Sequence, residues 1–233
     1  MPETEAPPLL SDHLGAIPWL AALKHQERDW VTGELRLSAV QPGDTICSMG
    51  ALPTHWIGVT SGLVKMSATA SNGRAVTFAG FPAGGWFGEG TILKSQAYRY
   101  EIQALQPSTI ARLPVPAFRR LVDESLQFNR FLMMQFNERL GQFIAWKAAE
   151  QTLTLDERLA QALATLFDPV LFSTVGDVLK ISQQELGYPV GTSRQQINEL
   201  MPLLRAAGAV TSEYGGVRLL DIQKLRCYRG EQV

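Results

Sequence analysis

The chain has 233 residues, 45% of them apolar and 18% charged, with a formal charge of -1. That length suits one large domain or two ordinary ones, and the composition is that of a globular chain. No apolar run approaches the roughly 18 residues of a membrane span, and near-neutrality means that any nucleic-acid binding must rest on locally concentrated charge.

Met1 to Pro8 is acidic and Pro-rich, without the basic and apolar regions of a secretory signal, and reads as a flexible leader. Cys47 and Cys227 are the only cysteines. Their separation argues against a disulfide framework, a structural zinc site and an Fe–S cluster, and suits a cytoplasmic protein. His13, His25 and His55 are isolated, which points away from a metal set and leaves open a haem held by one of them or by another residue.

From about Leu35 to Leu113 short β-type runs alternate with Gly or Pro breaks. Asn72-Gly73, between Leu63–Met66 and Ala75–Phe78, is the strongest hairpin signal, because a type I′ turn needs positive φ at both central positions. Strands at about ten-residue spacing predict a sandwich or barrel. At Pro116 the period becomes helical, and after a break near Asp123–Leu126 a long helix is expected from about Gln127 to Ala149. Leu132, Phe136, Leu140, Phe143 and Lys147 share one face, flanked by Met133 and Ile144 and opposed by Asn129, Glu138, Gln142 and Glu150. Such a face packs either on its own domain or, as Leu132, Phe136, Leu140 and Phe143 suggest, against a twofold mate.

Thr154–Phe167 is a further amphipathic helix, followed by an extended piece (Val175–Ile181), two close helices and a hairpin. Ser182 can cap the first of these helices with Glu185 completing a capping box. Gly191 suits a left-handed turn, and Thr192 or Ser193 can cap the second helix, with Thr192 and Gln195 as a box. Arg194, Gln195 and Asn198 then share its exposed N-terminal face, where Arg can pair with guanine and Gln or Asn with adenine. The Thr192 and Ser193 hydroxyls at the helix start suit a phosphate. Tyr214-Gly215-Gly216 is the turn of a wing whose Arg218 can reach a phosphate. Six basic and five acidic residues lie between Ile181 and Val233, so modest non-specific affinity is expected.

The run Gln184-Glu185-Leu186-Gly187 with Val190-Gly191-Thr192-Ser193-Arg194 resembles the helix-turn-helix of the CRP/FNR regulators. The resemblance implies an α+β chain. Its parts are a leader with N-terminal helices (1–30), a jelly-roll sensor barrel (31–115), a dimerisation helix (116–152) and a winged helix-turn-helix (153–233). It also implies a homodimer that binds double-stranded DNA through Ser182, Gln183, Thr192, Ser193, Arg194, Gln195, Asn198, Glu199 and Arg218, and it leaves RNA polymerase open as a further partner. Glu199 departs from a commonly basic position, and Pro202 is expected to kink the recognition helix.

Trp86-Phe87-Gly88-Glu89, with Arg99 ten residues after Glu89, resembles the phosphate-binding cassette of cyclic-nucleotide barrels. Gly88 permits close backbone approach, Glu89 can accept from a ribose hydroxyl, and Arg99 can hold a phosphate, although Arg99 beside Glu101 also reads as a solvated strand. The hydroxyl residues of the cyclic AMP-binding relative align with Tyr100, Phe143 and Ile144. Losing them costs about 1–3 kcal/mol for each polar partner left unpaired. The expected pocket of Gly88, Glu89, Arg99, Tyr100, Phe143 and Ile144 therefore argues against cyclic AMP. An apolar or aromatic effector and no effector at all both remain open. Two competing readings are a binding module whose helix-turn-helix no longer binds DNA, and a cupin-like enzyme, which would need a metal set that His55 alone does not make.

Overall fold

The computed structural model describes residues 9–69 and 75–230; the Met1–Pro8 leader and the Asn72-Gly73 turn lie outside the described residues. α1 (Leu10–His13), two 3₁₀ turns and α2 (His25–Glu34) precede a barrel of β1 (Arg36–Val40), β2 (Thr45–Cys47), β3 (His55–Ser61), β4 (Leu63–Thr69), β5 (Ala75–Pro82), β6 (Trp86–Phe87), β7 (Glu101–Ala104) and β8 (Ser108–Pro114). Its strands pair antiparallel in two four-stranded sheets, ordered β1-β8-β3-β6 and β2-β7-β4-β5. β4 and β5 pair from Leu63↔Pro82 to Thr69↔Ala75, so the two runs flanking Asn72-Gly73 form a hairpin.

The face of the β1-β8-β3-β6 sheet turned away from the barrel core is sealed by rings. Trp19, Trp56, Trp86, Phe118 and Phe128 are each at most 1% exposed. Trp56 and Trp86 centroids lie 4.3 Å apart, and Phe128 stands edge-on to Trp56 at 5.4 Å. Gly58 makes this possible, because a Cβ there would fall 2.3 Å from the Trp86 ring. Large aromatic faces in mutual contact dominate the energetics of such a core, and this one ties the N-terminal turns to the helices that leave the barrel.

Those helices are α4 (Val115–Glu124) and α5 (Leu126–Thr152), separated only by Ser125, whose buried hydroxyl accepts from the Phe128 N–H at 3.3 Å. The start of α5 belongs to the barrel. Leu132, expected on a dimer seam, is 4% exposed and packs in the tryptophan cluster, because the helix has not yet left its own domain. Beyond it the apolar face is uncovered: Phe136 is 36% exposed, Leu140 57%, and Phe143 and Ile144 60% each.

The C-terminal unit comprises α6 (Leu155–Leu166), β9 (Val178–Lys180), α7 (Gln183–Val190), α8 (Arg194–Ala206), β10 (Val210–Glu213), β11 (Gly216–Leu219) and α9 (Ile222–Arg226), with a sheet ordered β10-β11-β9. Leu159, Leu163, Leu186, Ile197 and Leu204 are its buried centre. A joint at 168–172 connects it to the rest. Leu171 and Phe172 enter the barrel core, Gln135 of α5 donates to the Val170 carbonyl at 2.7 Å, and Arg226 of α9 donates to buried Asp168 at 3.3 Å.

Candidate functional site

The helix pair is built from its caps inward. The Ser182 hydroxyl accepts from the Glu185 N–H at 3.2 Å, and the Glu185 carboxylate accepts from the Ser182 N–H at 2.5 Å. Gly191 then takes φ +75°, and both the Gly191 and Thr192 N–H groups donate to the Gly187 carbonyl at 2.9 Å. Gly187 is itself required, since a Cβ would lie 2.5 Å from the Thr192 oxygen. Of the two expected cap candidates, Ser193 is the one used. The box differs from expectation: it joins Ser193 to Gln196, not Thr192 to Gln195. Thr192 is still in the turn, and its hydroxyl donates to the Gln196 side chain.

Leu186, Val190 and Ile197 close the pair, leaving Arg194, Gln195, Asn198 and Glu199 exposed on the outer side of α8. Gln195 donates to Glu199 at 3.2 Å. Ser182 is exposed and Gln183 half-buried at the start of α7. α8 runs unbroken through Pro202, which is exposed. The proline thus removes one hydrogen bond, to the Asn198 carbonyl, without ending the helix. Arg218 departs further from expectation. Its guanidinium donates to Glu213 at 2.6 and 3.0 Å and to Asp177 at 2.5 Å, so its charge is already shared between two carboxylates. The hydrogen bond from Arg218 holds the Glu213 carboxyl below the usual range.

The cassette residues meet at a cavity of about 350 Å³ that Gly88, Glu89, Arg99 and Tyr100 line. Gly88 takes φ +95° to turn from β6 into α3 (Glu89–Leu93). Glu89 is 5% exposed. It accepts from the Trp56 indole at 3.3 Å and from Arg139 of α5, whose guanidinium also donates to the Trp86 carbonyl and lies over the Phe81 ring at 5.8 Å. Arg99 and Lys94 are exposed at the rim. Tyr100 hydrogen-bonds Thr91, and burial pushes its phenol up to about 12.

Phe143 and Ile144 are not part of this cavity; Phe136 and Arg139 supply the α5 side of it. The reason is helical geometry. The helix meets the cassette at Arg139, and a residue four positions later lies a full turn beyond. Arg139 was the missed residue, and its signal was a cation set between Phe136 and Leu140 of the apolar stripe.

A second polar cluster lies at the joint. Glu138 of α5 hydrogen-bonds Asp168, and its carboxyl is raised by burial first, then by the Asp168 charge and the hydrogen bond to it, while Arg226 and Gln142 act in the opposite direction. Asp168 also accepts from the Val170 and Leu171 N–H groups at 2.9 and 3.0 Å. Sequence spacing gave no hint of this pairing, because it joins elements 30 residues apart.

Residues 37–125 match the family model of the cyclic nucleotide-binding domain, and residues 157–228 match that of the Crp-like helix-turn-helix domain. The chain is 28% identical over 173 residues to the transcriptional regulator SdrP of Thermus thermophilus, covering 72% of this chain and 80% of that protein. It is 25% identical over 179 residues to the cAMP-activated global transcriptional regulator CRP of Haemophilus influenzae, covering 76% and 80%. FixK2 of Bradyrhizobium japonicum shares the fold, with a TM-score of 0.67 at 16% identity over 85% of this chain and 99% of that one. No helix among the described residues is long and apolar enough to cross a membrane. With a jelly-roll barrel, a capped helix-turn-helix and two family models in that order along one chain, the protein belongs to the CRP/FNR family of transcriptional regulators.

Proposed function

We propose that the protein is a homodimeric, sequence-specific regulator that reads DNA with the N-terminal turn of α8. The observation that carries this reading is the exposed set Arg194, Gln195 and Asn198 beside a cap whose own hydrogen bonds are satisfied. These side chains stand exposed toward base edges, with Gln195 held only by its exposed neighbour Glu199, and the helix start suits a phosphate. The uncovered face of Phe136, Leu140, Phe143 and Ile144 supports a twofold seam. Full burial of such side chains is worth roughly 1.5–3 kcal/mol each.

The barrel cavity is an effector site in this reading, and cyclic AMP is not its effector. Glu89 already accepts from Trp56 and Arg139, so a ribose hydroxyl would have to compete with a buried ion pair. Tyr100 stands where the cyclic AMP-binding relative has a small hydroxyl residue, and its own hydroxyl is engaged by Thr91. Selection of bound fragments from genomic DNA tests the reading. It predicts an enriched site, and micromolar cyclic AMP should change neither that enrichment nor the melting temperature. Absence of enrichment, with and without candidate effectors, would favour a module that does not bind DNA.

A further inference from the structure

The wing was expected to meet DNA through Arg218, yet that guanidinium is held by Glu213 and Asp177. What the wing presents instead is Tyr214. It is 94% exposed, a higher value than any other large apolar or aromatic side chain shows among the described residues. Leaving a whole aromatic ring in water forfeits its burial energy, and a two-residue turn can be closed by small polar residues without that loss.

The turn that carries this ring is fixed on several sides. Glu213 pairs with Gly216 across the hairpin. Gly215 takes φ +67°. The Tyr214 N–H donates to Glu213 at 3.2 Å, and the Tyr214 carbonyl accepts from the Lys180 ammonium at 2.7 Å. The hairpin is in turn tied to the recognition helix, because Arg205 of α8 donates to Ser212 of β10 at 2.6 Å. The backbone of the tip is therefore held in place while its side chain is uncovered, on the strand pair that directly follows α8.

We propose that Tyr214 is a DNA contact: its ring lies against the sugar–phosphate backbone beside the groove that α8 enters, and its hydroxyl donates to a phosphate oxygen. Hydroxyl and aromatic side chains contribute backbone contacts that fix register without reading sequence. Lys180, Arg218, Glu213 and Asp177 together carry no net charge, so the wing binds through this ring and not through counterion release. Arg218 holds the wing's shape.

This inference rests on the DNA-binding reading above. Its test measures the affinity of the full-length protein for the selected DNA at several salt concentrations. Tyr214→Ala should weaken binding about tenfold and Tyr214→Phe about threefold. Both should leave the salt slope unchanged, because no cation is removed. The melting temperature should also hold, since the side chain is exposed. If Tyr214→Ala binds like the parent protein, the contact is wrong while the DNA-binding reading stands. If the parent protein itself selects no DNA, both fall.

Discussion

The sensor cavity and the recognition helix use similar polar residues in opposite ways. At the cavity the buried charge is spent: Glu89 is held by Trp56 and Arg139, while the exposed cations Arg99 and Lys94 stand at the rim. On α8 the cap residues bond within the turn and Gln195 donates to its helix neighbour Glu199, and Arg194, Gln195 and Asn198 remain exposed. A polar group satisfied inside the protein fixes structure, and one left in water is available to a partner. The same contrast runs along α5, whose start is buried in the tryptophan cluster and whose continuation leaves Leu140, Phe143 and Ile144 uncovered.

The largest expected effect breaks the uncovered half of α5. Leu140→Glu should place an unpaired charge in the dimer seam twice over, and raise the dimer dissociation constant by roughly 100-fold or more. Light scattering at micromolar concentration would then give a monomer mass, whereas the parent protein should give a dimer. A dimeric Leu140→Glu protein would place the seam elsewhere. Leu132→Ala is the control on the buried half: it should lower stability by about 2–5 kcal/mol with the dimer intact.

Next comes the buried pair at the cavity. Arg139→Ala leaves Glu89 buried without its cation and should cost about 3 kcal/mol in urea unfolding. The double variant Arg139→Met with Glu89→Gln should recover most of that loss, because no uncompensated charge remains. Equal losses in the single and double variants would mean that the pair matters only through packing.

The extent of agreement between sequence and structure follows the range of the interactions. Caps, the Gly191 turn and the β4–β5 hairpin are local, so spacing alone placed them within a residue or so. The one error there, a Thr192–Gln195 box where Ser193–Gln196 forms, is a shift of one position between adjacent hydroxyl residues. The cavity was legible as far as the cassette residues Gly88, Glu89, Arg99 and Tyr100. It failed at α5, because which turn of a long helix faces the cassette depends on packing between distant elements. Leu132 misled for a related reason: a continuous apolar stripe does not reveal where one partner ends and the next begins. Arg218 reads as a free cation on a wing until Asp177, 41 residues away, is brought beside it.

Smaller still is the effect of acid at the joint. Burial and the Asp168 carboxylate raise the Glu138 carboxyl above its ordinary value of 4.5. The protonated form thus favours the folded joint. Its contribution is full below the unfolded value and is lost as pH rises through the folded one. Glu138→Gln keeps a donor toward Asp168 at every pH. Its melting temperature relative to the parent protein should therefore rise as pH increases above about 4.5. A difference that stays constant with pH would remove Glu138 from the joint's titration.

The most direct measurement is the binding of Arg194→Ala to DNA selected from the genome by the parent protein. The selected fragments should carry an inverted repeat with half-sites about one helical turn apart. Arg194→Ala should bind them roughly 1–3 kcal/mol more weakly and lose preference at one base position in each half-site. If the variant binds with parental affinity and base preference, α8 is not the reading element, and the contrast drawn between its free face and the occupied cavity would not hold.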